Sequence, residues 1–140
     1  MATKVLDSWA LIAFFEDEPV ADTVEELIHR AALDRHTLLM SVINWGEIYY
    51  NTMRETSQSE AEARIKEIAS LPIEIVGVGD DLKMTRQAAI YKASYRVAYA
   101  DGFAAALAKE RRAELVTGDP EFKPLEKEIK IKWLKLHSTR

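Results

Sequence analysis

The chain has 140 residues, enough for one domain with a real core and too few for two comfortable ones. It has no cysteine, which excludes a disulfide scaffold, a thiolate nucleophile and a Cys-ligated zinc, and its three histidines, His29, His36 and His137, show no metal-ligand spacing, so any metal is expected on oxygen ligands. The 23 Asp and Glu outnumber the 19 Lys and Arg, and the formal charge of −4 argues against a general nucleic-acid binder that works by long-range attraction.

Along the chain the apolar pattern switches repeatedly between short β-type runs and longer helical ones, as in successive βα units around a parallel sheet. A first strand is expected near residues 4–6, ending at Asp7, with a helix beginning directly after it. A second helix is placed from residues 17–19, where Pro19 suits a first helical turn, with Val24, Leu27, Ile28 and Ala31 on one face. A strand near 37–41 leads into a helix of about 42–54, and a fourth helix of about 59–71 should point Ala61, Ile65, Ile68 and Ala69 inward. Then come a strand near 74–78, a helix of about 80–94, and a small-residue helix at 100–111 whose "AAALA" lets its backbone lie close to a sheet. Strands near 114–117 and 130–134 close the pattern, giving a single α/β domain over residues 1–140 with a five-stranded parallel sheet. No uncharged apolar run approaches the ~18–20 residues a bilayer requires, and the opening lacks a leader pattern, so the expectation is a cytosolic protein without a membrane partner.

Ligands of an open parallel sheet bind outside the carboxyl ends of its strands, near a topological switch point. Four acids are expected there. Asp7 follows the first strand and Asp119 the fourth by two residues; Asp101 lies in the first turn of the helix leading into that fourth strand, and Glu47 lies one to two turns into the helix after the second. Each has an ordinary explanation. Asp7 and Asp119 could cap helical turns, Asp101 could complement a helix dipole, and Glu47 could belong to a solvated stripe with Asn44 and Asn51. Gly46, inside the same helix, predicts instead a close approach by another backbone, which would make Asn44 a hydrogen-bonding neighbour of Glu47 with Ser41 one turn earlier. Together, four carboxylates at one rim would repel and raise one another's pKa unless a cation sits among them, and hard divalent ions such as Mg²⁺ prefer such oxygens.

Four segments in this order, "VLDSWALIAFFEDEP", "SVINWGEIYYN", "YADGFAAALA" and "LVTGDPEF", resemble the motifs of PIN-domain ribonucleases. The "LDSWALIAFFEDEP" opening is most similar to the VapC toxins of prokaryotic toxin–antitoxin pairs. The resemblance implies a PIN-like three-layer sandwich, a central parallel sheet with helices on both faces, and a pocket for Mg²⁺ or Mn²⁺. Asp7, Glu47 and Asp101 then correspond to the core acids and Asp119 to the fourth; Ser8 and Thr117 match small hydroxyl positions, and Asn44 a polar position before the glutamate. One departure stands out: many members carry Ser or Thr two residues after the first Asp, where this chain has Trp9. The implied reaction is metal-dependent hydrolysis of an RNA phosphodiester, leaving a 5′-phosphate and a 3′-hydroxyl.

Several partner sites follow as further expectations. Lys92 and Arg96, shortly before Asp101, are candidate RNA contacts. The resemblance also implies a homodimer through the helices bearing Trp45, Tyr49, Tyr50, Tyr91, Tyr95 and Tyr99, and an antitoxin groove with Trp9, Phe14, Phe15 and Tyr50 as candidates. The alternative is a PIN-like module that binds RNA or a partner without cleaving. A receiver-type domain or a haloacid-type phosphatase fits less well, because a lone Asp7 ends the first strand and Trp9 stands where the phosphatase needs a second Asp.

Overall fold

The computed structural model describes residues 2–135. Its five strands are Ala2–Leu6 (β1), His36–Ser41 (β2), Ile73–Val76 (β3), Glu114–Thr117 (β4) and Ile131–Trp133 (β5). They form one all-parallel sheet in the order β3-β2-β1-β4-β5. The chain moves outward from β1 in one direction through β2 and β3, then returns to its other side with β4 and β5. The switch point therefore lies between β1 and β4, where Leu6 pairs with Val116 and the next residues are Asp7 and Thr117.

Both faces of the sheet are apolar, as a parallel sheet buried on both sides requires. Leu6, Leu38, Met40 and Val116 meet Ala10, Leu11, Val24, Leu27, Ile48 and Ile68 from the helices Ser8–Phe15 (α1), Ala21–Ala32 (α2), Val42–Glu55 (α3) and Gln58–Ala69 (α4). Val5, Leu39 and Leu115 meet Met84, Ala88, Tyr91, Phe103 and Leu107 from Lys83–Tyr95 (α5) and Tyr99–Arg111 (α6), with Phe122 and Leu125 from a 3₁₀ turn at Pro120–Leu125. This is the expected three-layer α/β sandwich. Among the described residues no helix is long and apolar enough to cross a membrane.

Caps explain where several helices start. Asp7, Ser41 and Ser57 each accept a backbone N–H from the first turn of α1, α3 and α4. The second helix begins at Ala21, not at Pro19. Asp17 takes a left-handed φ of 53° and the Glu18 N–H bonds the Ala13 carbonyl, so Pro19 belongs to the turn between α1 and α2. Two further boundaries move: β3 ends at Val76, before the Gly77 to Gly79 loop, and α5 starts only at Lys83, after Leu82 adopts φ 64°. In α4, Ala61 and Ile68 are buried as expected, Ile65 is half-buried, and Ala69 faces solvent because the helix covers the sheet with a narrower stripe than its apolar residues suggest.

The residues from Asp101 to Ala108 are all buried. Helix α6 is thus enclosed on every side over this stretch, and its small residues allow this. At Gly102 a Cβ would stand 2.8 Å from the carbonyl oxygen of Ala88, so α5 and α6 approach to a distance only glycine permits. The close approach inferred for Gly46 is absent: no atom lies within 4 Å of a Cβ built there.

Candidate active site

Asp7 leaves β1 and serves two purposes. Its Oδ1 accepts the Ala10 N–H at 2.9 Å, capping α1, and its Oδ2 accepts the Thr117 hydroxyl at 2.6 Å. Thr117 Oγ1 in turn accepts the Asp119 N–H at 3.0 Å, which ties the loop leaving β4 to the residue leaving β1. Asp119 Oδ1 accepts the Glu121 N–H at 3.0 Å and caps the 3₁₀ turn. Both capping readings are therefore correct, and each leaves the same side chain facing the switch point.

Glu47 is held in place from two directions. Its Oε1 accepts the Ser8 hydroxyl at 2.8 Å and the Asn44 amide at 2.9 Å. Asn44 also donates to the Ala100 carbonyl at 3.3 Å, linking α3 to α6 one residue before Asp101. Its amide oxygen is buried without a partner. Asp101, in the first turn of α6, accepts no hydrogen bond from a described residue.

These side chains open into one cleft of about 420 Å³, lined by Asp7, Ser8, Trp9, Glu47, Asp101 and Asp119 together with Glu18 and Glu121. The last two acids were not singled out in the sequence, although they stand within the "FFEDEP" and "GDPEF" segments that flank the expected site. Trp9 occupies the wall. A Cβ at Gly118 would fall 2.2 Å from its ring, so the glycine before Asp119 makes room for the indole that replaces the family's usual hydroxyl residue.

Other expected residues stand outside the cleft. Ser41 caps α3 through a hydrogen bond from Ile43. Lys92 donates to the Val97 carbonyl at 3.3 Å, and Arg96 ends α5 in a left-handed conformation, exposed and two residues before the cleft-lining Ala98. Phe14 and Phe15 pack at 5.4 Å on α1, with the Arg64 guanidinium 4.7 Å from the Phe15 ring. Tyr50 is exposed beneath Arg54, whereas Tyr91 is core, so the six aromatics do not form one surface.

Burial dominates the electrostatics. Asp7 is pushed up to about 8 by desolvation, against the lowering effect of its two hydrogen bonds, with the charges of Asp101 and Asp119 adding to the rise. Asp101 is raised to about 7, again chiefly by burial and then by Asp119, Glu47 and Glu121. None of the ion pairs among the described residues, Lys4–Glu114, Arg30–Glu26 and Arg111–Glu110, supplies a cation to the cleft. An all-oxygen donor set of desolvated carboxylates without a protein cation fits a hard divalent ion. Among the described residues no group of three or more acids or histidines is placed to hold a metal ion by itself. Mg²⁺ commonly takes only one or two carboxylates directly and keeps several waters.

A buried carboxylate cleft at the switch point of an all-parallel sheet defines an α/β protein of the PIN-like class. The chain matches the PIN domain family over residues 4–128, and it belongs to that family. Comparison with curated proteins returns no match. Among solved structures it is similar to a chain of VapBC2 from Rickettsia felis bound to a DNA fragment from their promoter, with TM-score 0.72, 17% identity, and 95% of this chain and 99% of that one covered. A chain of DNA-bound VapBC from Salmonella typhimurium gives TM-score 0.66 at 18% identity, covering 96% and 100%. VapBC-5 from Mycobacterium tuberculosis, a member of the VapBC family of toxin-antitoxin systems, gives 0.60 at 20%, covering 96% and 99%.

Proposed function

We propose that the chain is a metal-dependent endoribonuclease, the toxin of a toxin–antitoxin pair. The observation that carries this reading is the cleft in which Asp7, Glu47, Asp101 and Asp119 face one space without a protein cation among them. Asp7, Asp101 and Asp119 would hold Mg²⁺ or Mn²⁺, directly or through water, and Glu47 would complete the set. When bound, the ion supplies Lewis-acid stabilisation of phosphate charge and lowers the pKa of water. Glu47, fixed at Oε1 by Ser8 and Asn44, keeps Oε2 to accept a proton from the attacking water. Attack on an RNA phosphodiester breaks the bond to the 3′ oxygen and leaves a 5′-phosphate and a 3′-hydroxyl. Arg96 and Lys92 border the approach to Asp101 as phosphate contacts.

The antitoxin reading rests on the likeness to VapBC structures together with the charge of the cleft. A partner helix on Trp9, Phe14, Phe15 and Tyr50 that brings an Arg into the acids would neutralise them. A homodimer would use the exposed Ile90 and Tyr99 of α5 and α6. The test is cleavage of single-stranded and structured RNA by purified protein in Mg²⁺ or Mn²⁺, abolished by chelator and by Asp101→Asn. Equal cleavage by wild type and Asp101→Asn would overturn the assignment; tight RNA binding without cleavage in either metal would establish the non-cleaving PIN-like module instead.

A further inference from the structure

A second cleft lies on the other side of the loop that carries Asp119. It has a volume of about 270 Å³ and is lined by Gly118, Pro120, Lys123, Glu126, Trp133, Leu134 and Lys135. Asp119 faces the acidic cleft while its two neighbours, Gly118 and Pro120, face this one, so a ridge three residues wide separates the two spaces. The register accounts for the adjacency: Thr117, which donates to Asp7, pairs with Trp133 on the edge strand.

The two clefts differ in charge. The first is lined by acids; the second holds two exposed lysines against one carboxylate, Glu126, which already accepts the Trp133 indole N–H at 2.7 Å. That bond fixes the ring of a half-buried tryptophan at the cleft wall. Lysines on an edge strand commonly serve only to prevent strand addition, and this accounts for Lys132. It does not account for Lys123, in the 3₁₀ turn, or Lys135, beyond the end of β5, which approach the same cleft from two separate segments. A fixed aromatic ring sharing a cleft with cations is how single strands are held without regard to sequence, with a base on the ring and phosphates on the lysines.

We infer that this cleft binds the stretch of single-stranded RNA adjoining the scissile phosphate, with a base against Trp133 and the backbone on Lys123 and Lys135. The strand then crosses the Gly118 to Pro120 ridge into the acidic cleft, and the lysines offset the repulsion its phosphates meet there. The inference rests on the ribonuclease reading for its biological sense, but binding can be measured apart from cleavage.

The experiment is titration of a fluorescently labelled single-stranded oligoribonucleotide with full-length protein in chelator, where no hydrolysis occurs, over a range of salt. Lys123→Ala combined with Lys135→Ala should weaken binding and make its salt dependence shallower by up to about 1.4 units of slope, since each phosphate contact on a single strand contributes roughly 0.7. Trp133→Ala should weaken binding roughly tenfold, and Trp133→Phe, which keeps an aromatic face but loses the bond to Glu126, should restore most of it. A folded Trp133→Phe protein also guards against an alanine variant that merely unfolds. RNA binding that ignores all of these changes overturns the proposal. Cleavage by wild type with such indifference would sink the subsite alone; lysine- and Trp133-dependent binding without cleavage in any metal would sink the nuclease reading alone.

Discussion

Among the described residues Asp7 accepts two hydrogen bonds and Asp101 none, so the same change to asparagine should affect them differently. Asp101→Asn removes a desolvated charge and breaks no bond, so in chelator its melting temperature should equal or exceed that of wild type, while RNA cleavage falls about a hundredfold or more. Asp7→Asn turns an amide N–H₂ toward the Thr117 hydroxyl, whose proton then loses its buried acceptor, at a cost of about 1–2 kcal/mol. Asp7→Asn melting above Asp101→Asn would show that the network around Thr117 has no structural role. The two raised pKa values also set a pH dependence. With Asp7 near about 8 and Asp101 near about 7 in the folded state, against a usual 3.8, the native protein retains protons that the unfolded chain releases. The associated stability is complete below about pH 4 and is lost as pH rises through about 7 to 8. Thermal melts in chelator should therefore fall across this window, and Mn²⁺ should raise the melting temperature more at about pH 8 than at about pH 5. A melting temperature that climbs with pH in chelator would contradict the burial of these acids.

Three glycines, two in helices and one in a loop, differ in what surrounds them. Gly46 sits in α3 with open space around it, so its flexibility is a plain cost, and Gly46→Ala should stabilise the protein by roughly 0.5–1 kcal/mol in denaturant melts. Gly102 faces the Ala88 backbone, which cannot move aside; Gly102→Ala should separate α5 from α6 at a cost of about 1–3 kcal/mol, and it should reduce activity because Asp101 is the preceding residue. Gly118 meets a side chain rather than a backbone. A methyl group there would displace the Trp9 ring, with an effect on the cleft larger than its effect on stability, readable as lost activity at nearly unchanged melting temperature.

For the molecule as a whole, the proposed ribonuclease activity requires that an acidic total and an acidic cleft admit a polyanion and release it. A partner carrying cations into the cleft would compete directly with RNA. Co-expression with the cognate antitoxin should therefore give a stable complex in which nuclease activity is suppressed, and full activity in the stoichiometric complex would rule out inhibition at this site.

The alternation of short apolar runs with helical ones was sufficient to read the βα units and the parallel sheet, because both periodicities are local properties of the chain. The four acids were legible for the same reason: Asp7 and Asp119 follow strands, Asp101 opens a helix and Glu47 lies early in one, and the carboxyl edge of a parallel sheet is where such residues gather. Tertiary packing decided the rest. Whether Gly46 or Gly102 marks a close approach depends on which helix lies opposite, and α5 lies against α6. Glu47 is tied to Ser8 rather than solvated because α1 and α3 meet at the rim, 39 residues apart in the chain. The fate of Pro19 turned on a left-handed Asp17 that closes α1 against its own next turn. Residue spacing within a segment is encoded nearby in sequence, but contact between segments is set by the sheet order, which places β4 beside β1 although more than a hundred residues separate Asp7 from Thr117.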